Sequence, residues 1–181
     1  MVCEFRIALA TMLALTALQT PACSAPDRRE EAGRCFVSGM QSARQGDYEK
    51  ALRLLEKAQE LDPSKPAHFY QAVVLRYQRG DLAGALVNAN IALSLHPNHM
   101  ELLDLRGDIL RGLGRPQEAI EDYRRCISLN PVGYWSPWMK LGALQESLGA
   151  VSEARATYED VLRLYPGLEE AKRKLKAIEN R

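Results

Sequence analysis

The residues able to do chemistry in this chain are few and far apart. Three histidines, His68, His96 and His99, and four cysteines, Cys3, Cys23, Cys35 and Cys126, are the candidate ligands and nucleophiles. His96 and His99 flank Pro97 and Asn98, but they lack the helical spacing with further carboxylate or thiolate partners that a zinc site needs. Cys35 and Cys126 have no histidine within reach along the sequence to draw off a proton, so both read as small buried hydrophobes. No glycine-rich phosphate loop, serine-centred elbow or paired-carboxylate motif occurs. No metal, no cofactor and no enzymatic activity is expected.

The residues that do recur are structural. Gly stands at 46, 80, 114 and 149, Ala five places later at 51, 85, 119 and 154, and Pro seventeen after each Gly at 63, 97, 131 and 166. The Gly-to-Gly intervals are 34, 34 and 35, the period of a helix-turn-helix array. Glycine tolerates the left-handed turn that ends a helix, Asp47 and Asp81 follow it as caps, and Pro116 opens a helix in the third unit. Each closing proline keeps the residue before it, Asp62, His96, Asn130 or Tyr165, out of helix. The segment YEKALRLLEKAQEL repeats apolar Ala51, Leu54, Leu55, Ala58 and Leu61 at three- and four-residue steps, so one face is buried. One residue is gained around Gly133 and Tyr134, after which Ser136 and Pro137 read as an N-cap and a first-turn proline.

This pattern resembles the tetratricopeptide repeat (TPR) family. Four units follow at 32–65, 66–99, 100–133 and 135–168, after a linker at 26–31. The family's small residue in the first helix is matched by Gly39, Gly107 and Gly142, and Val73 departs from it; unit four adds Trp138, Leu141, Ala154, Tyr158 and Pro166. The resemblance implies an all-α, right-handed α-solenoid of four helix-turn-helix units. Residues 169–181, with Ala171, Leu175 and Ile178 on one face beside Leu168, then form the polar-backed cap that a last repeat requires.

It also implies a concave face lined by the first helix of each unit. The corresponding positions are Phe36, Met40 and Arg44, then Tyr70, Val74, Tyr77 and Gln78, then Glu101, Asp104, Asp108 and Arg111, then Met139, Ala143 and Glu146. The groove is expected to be aromatic at one end and acidic in the middle. Some family members clamp a partner's terminal carboxylate with Lys, Asn and Arg in this groove. Glu101, Asp104 and Asp108 instead favour a peptide or helix segment with apolar and basic residues. The alternative is that the acids solvate a helix face while the tyrosines pack between units.

At 181 residues, 46% hydrophobic and 26% charged, the chain has the composition of a globular protein, and its net charge of +1 gives no field to hold a nucleic acid. The N-terminus is different. Ile7–Leu18 is uncharged and too short for the roughly 20 residues that span a bilayer, and small residues follow it, as in an export leader over residues 1–25. Thr20-Pro21-Ala22-Cys23 resembles a bacterial lipobox, with Thr20 and Pro21 departing from it. Three fates stay open: lipidation at Cys23, ordinary cleavage near Ala22 or Ala25, and an uncleaved anchor or a start placed too far upstream.

The expected protein is therefore exported, periplasmic or lipid-anchored in the cell envelope, touching a membrane only through such an anchor. Bacterial pilotins and outer-membrane assembly lipoproteins look similar in design. Its expected role is a non-catalytic interaction scaffold or assembly factor; a periplasmic chaperone or a self-associating structural protein is the alternative.

Overall fold

The 34-residue period becomes a stack of helix pairs because each repeat carries its own stop and start signals. The computed structural model describes residues 27–180. Among the described residues there are nine helices and no strand: α1 (Arg28–Arg44), α2 (Tyr48–Leu61), α3 (Pro66–Gln78), α4 (Leu82–Leu95), α5 (Met100–Gly112), α6 (Pro116–Leu129), α7 (Ser136–Ser147), α8 (Val151–Leu164) and α9 (Glu169–Glu179). The leader and Cys23 lie outside them.

The turns behave as their residues dictate. Gly46, Gly80, Gly114 and Gly149 adopt φ of 82°, 77°, 72° and 77°, the left-handed region that a side chain disfavours. Asp47 Oδ1 accepts from the Lys50 amide at 3.1 Å and Asp81 Oδ1 from the Gly84 amide at 2.9 Å, satisfying amides that the first helical turn leaves free. Asp62, His96, Asn130 and Tyr165 are the C-caps before the prolines. Two boundaries differ from the expectation. The first helix begins at Arg28, capped by Asp27, so residues 28–31 of the expected linker are helical, with Glu30 and Glu31 favoured at its positive end. Ser136 is the first residue of α7 rather than its cap; Trp135 holds that position and makes no side-chain cap bond.

Each helix packs on the next, and α3 also meets α5. The core is a relay of small clusters, with Ala51 and Leu55 against Ala72 and Leu75, then Val73 and Ala89 with Leu102 and Ile109, then Tyr123 with Leu141 and Leu144, then Tyr158 with Ala171 and Ile178. The repeated alanines 51, 85, 119 and 154 are fully buried. Stability in such a relay is a sum of units and their interfaces.

The departure at Val73 has a physical reason. Sixteen residues after each first-helix small residue comes the second-helix residue that covers it. A Cβ on Gly107 would lie 2.5 Å from Tyr123 Cε1, and one on Gly142 would lie 2.5 Å from Tyr158 Cε1. In unit two the covering residue is only Ala89, and Val73 fills the space; both are fully buried in one cluster.

Candidate functional site

Two adjoining cavities that share Lys140 lie along the first helices of the units. One, of about 470 Å³, is lined by Tyr70, Glu101, Asp104, Leu105, Asp108, Tyr134 and Lys140. The other, of about 520 Å³, is lined by Arg111, Trp135, Ser136, Met139, Lys140, Ala143, Leu144, Ser147 and Glu170. The walls come from α3, α5, α7 and α9, and from the turn where the chain gains a residue. That insertion brings Tyr134 and Trp135 to the groove.

Lys140 changes the chemistry of the middle. Its Nζ donates to Asp104 Oδ2 at 2.8 Å and Asp108 Oδ2 at 2.5 Å. Burial alone would lower the ammonium's pKa, but the two carboxylates outweigh it and hold the group above its usual range. Burial raises the Asp104 carboxyl despite Lys140. The Tyr123 hydroxyl donates to Asp108 Oδ1 at 2.8 Å, and its own pKa is pushed up by burial and by the Asp108 charge. The acidic middle is thus tied into the fold: one ammonium pairs with two of its three carboxylates, and Glu101, Asp104, Asp108 and Lys140 together stay formally net negative. Glu101 keeps an exposed side chain, 3.3 Å from His99 Nδ1.

Other expected groove residues divide in the same way. Met139 is buried in the unit-four core, although an edge of it reaches the second cavity. Glu146 is also spent, accepting from Tyr158 at 3.0 Å and from Lys174 at 2.9 Å. Tyr70, Val74 and Tyr77 pack partly buried against the unit-two core, and Tyr70 stacks on His99. Met40 and Phe36 pack against the unit-one core, with Phe36 beside His68. Met40, Arg44, Val74, Tyr77 and Gln78 line neither cavity. The structure brings together Tyr70, Glu101, Asp104 and Asp108 in the first cavity, and Arg111 and Met139 in the second.

The three histidines and the two described thiols, Cys35 and Cys126, are engaged in packing and backbone contacts. His68 is buried with Nδ1 3.2 Å from the Asp62 carbonyl, His96 Nε2 lies 3.0 Å from the Pro63 carbonyl, and His99 Nδ1 accepts from the Leu102 amide. Cys35 and Cys126 are free and buried. The Cys126 thiol donates to the Met100 carbonyl, and burial pushes its pKa up to about 11, away from the thiolate form a nucleophile needs. Among the described residues no cluster of three or more His, Cys, Asp or Glu side chains is arranged to hold a metal, and no helix is long and apolar enough to cross a membrane.

Models of the tetratricopeptide repeat match residues 32–65, 100–131 and 138–167. The chain belongs to the TPR family. Its fold is the all-α TPR solenoid, and the crystal structure of MamA protein superposes with a TM-score of 0.74 at 22% identity, covering 83% of this chain and 82% of that one. The crystal structure of YrrB, described as a TPR protein with an unusual peptide-binding site, gives 0.68 at 22% identity over 82% of this chain and 76% of that one. Among curated proteins, human Protein O-mannosyl-transferase TMTC1 is 29% identical over 187 residues. The match takes in 98% of this chain but only 18% of that relative's length.

Proposed function

We propose that this TPR protein is a non-catalytic scaffold of the bacterial cell envelope, working as an assembly factor that holds a partner's peptide or helix in its concave groove. The observation that carries this reading is the pair of adjoining cavities along α5 and α7, joined at Lys140 and walled by Tyr70, Tyr134 and Trp135. Cavities of that size, in which aromatic and aliphatic side chains stand among several charged ones, suit a peptide segment that carries both apolar and charged residues. Because Lys140 spends Asp104 and Asp108 internally, recognition falls to the apolar walls and to the carboxylates still facing solvent. A partner segment rich in apolar residues with some basic ones fits this lining. The apolar run Ile7–Leu18 and the small residues after it support export, with or without a lipid at Cys23.

The test is site-specific photocrosslinking in cells. A photoreactive residue is placed at Tyr70 or Glu101 in the groove, or at Glu60 or Arg125 on the outer helices. Discrete crosslinked proteins in the envelope fraction are expected from the groove positions. Capture from Glu60 and Arg125 alone would overturn the assignment of the concave face.

A further inference from the structure

The cavity beside the cap helix differs from the rest of the groove, because its two walls carry charges of opposite sign that stay largely open to solvent. On the α9 side stands Glu170, an exposed carboxylate. Its natural helical partner four residues on, Lys174, is drawn away to Glu146 at 2.9 Å. On the α5 side stands Arg111, its side chain 54% exposed. Arg111 is held by a long ion pair to Asp108 at 3.7 Å and by the Tyr123 hydroxyl, while Asp108 also accepts from Lys140 and Tyr123 at shorter range. Between the two walls the floor is α7, kept low by exposed Ala143 and Ser147 and closed at one end by the Trp135 ring, which is 40% exposed.

We infer that this cavity is the specificity pocket of the groove, and that its occupant is a partner segment in which one or two apolar side chains lie between an acidic and a basic residue. The apolar part covers Ala143 against Trp135 and Leu144, the cation faces Glu170 and the anion faces Arg111. The volume of about 520 Å³ admits more than one side chain. The charges match the occupant's across the pocket and select it; rim pairs of this kind discriminate between partners more than they add affinity. This rests on the groove reading above and narrows it to one end.

The test titrates the isotope-labelled full chain, followed by backbone NMR shifts, with three capped peptides that place Leu-Leu between Asp and Lys, between Asp and Asp, or between Asn and Gln. The mixed-charge peptide is expected to bind tightest, with the largest shifts in α7, and the uncharged one about two- to five-fold more weakly. Glu170→Lys is expected to move the preference to the doubly acidic peptide. Ala143→Trp, at an exposed position, is expected to remove binding by filling the floor. Unchanged preference in Glu170→Lys, or unchanged binding in Ala143→Trp, would overturn the pocket. Absence of α7 shifts with every peptide would do the same. If crosslinks from Tyr70 and Glu101 persist in that case, the groove reading survives without this pocket; if they are absent too, both fall.

Discussion

Units two and three solve one packing problem in opposite ways. In unit three the first helix contributes Gly107 and the second Tyr123; in unit two the sizes are reversed, with Val73 against Ala89. The consequence reaches the groove. The Tyr123 ring passes over Gly107 and delivers its hydroxyl to Asp108, fixing a carboxylate that also holds Lys140 of the next unit. Unit four repeats this with Tyr158 and Glu146. Ala89 has no such reach, and around unit two the groove is lined by Tyr70 stacked on His99 instead. The phenol over the small residue supplies this polar wiring in units three and four; Ala89 in unit two and Leu55 over Gly39 in unit one have no hydroxyl to do so.

The comparison is broken most severely at the large residue. Tyr123→Ala is expected to lose about 3–5 kcal/mol of unfolding free energy, read from denaturant midpoints, because it opens a cavity and leaves Asp108 without its phenolic donor. A loss below about 1 kcal/mol would mean that the ring is not the keystone it is taken for.

A size exchange sharpens the comparison. Ala89→Tyr alone is expected to overpack against Val73 and cost about 1–3 kcal/mol. Adding Val73→Gly converts the pair to the unit-three form and is expected to recover much of that loss, less about 1 kcal/mol for a helical glycine. No recovery in the double variant would show that the two positions are not coupled.

The subtlest test is electrostatic. Lys140→Met removes the cation that restrains Asp104, so the Asp104 carboxyl, already raised by burial, is expected to titrate at still higher pH in side-chain NMR. A carboxyl raised on folding disfavours the ionised native state. The variant should therefore lose stability as pH climbs through the Asp104 titration and approach the parent at low pH. An unchanged Asp104 titration would remove Lys140 from the network.

Much of this scaffold was legible because its signals are local. A glycine's permitted φ, an aspartate three residues before a free amide and a proline's missing donor act within one turn, so the order of the helices and their turns followed from spacing. The exceptions are also local: the start of α1 at Arg28 and the role of Ser136 each rest on end effects worth about 1 kcal/mol. The groove's positions could be named from the repeat, but its charge state could not. Lys140 lies 36 residues from Asp104 and 32 from Asp108, so no short-range pattern pairs them. Arg106 is similar, donating to buried Asp122 and to Asn90, each 16 residues away on opposite sides along the chain. The added residue near Tyr134 was visible as a slip in register, and only in three dimensions does it bring Tyr134 and Trp135 to the two cavities.

By itself the sequence determined the period, the turn chemistry and the buried face of each helix, because those depend on backbone conformations and apolar spacing within a few residues. The tertiary structure decided which polar groups are spent on the fold and which remain for a partner. That division depends on distances between units, where a lysine from one repeat can pair with two aspartates of another while an arginine and a glutamate line an open pocket.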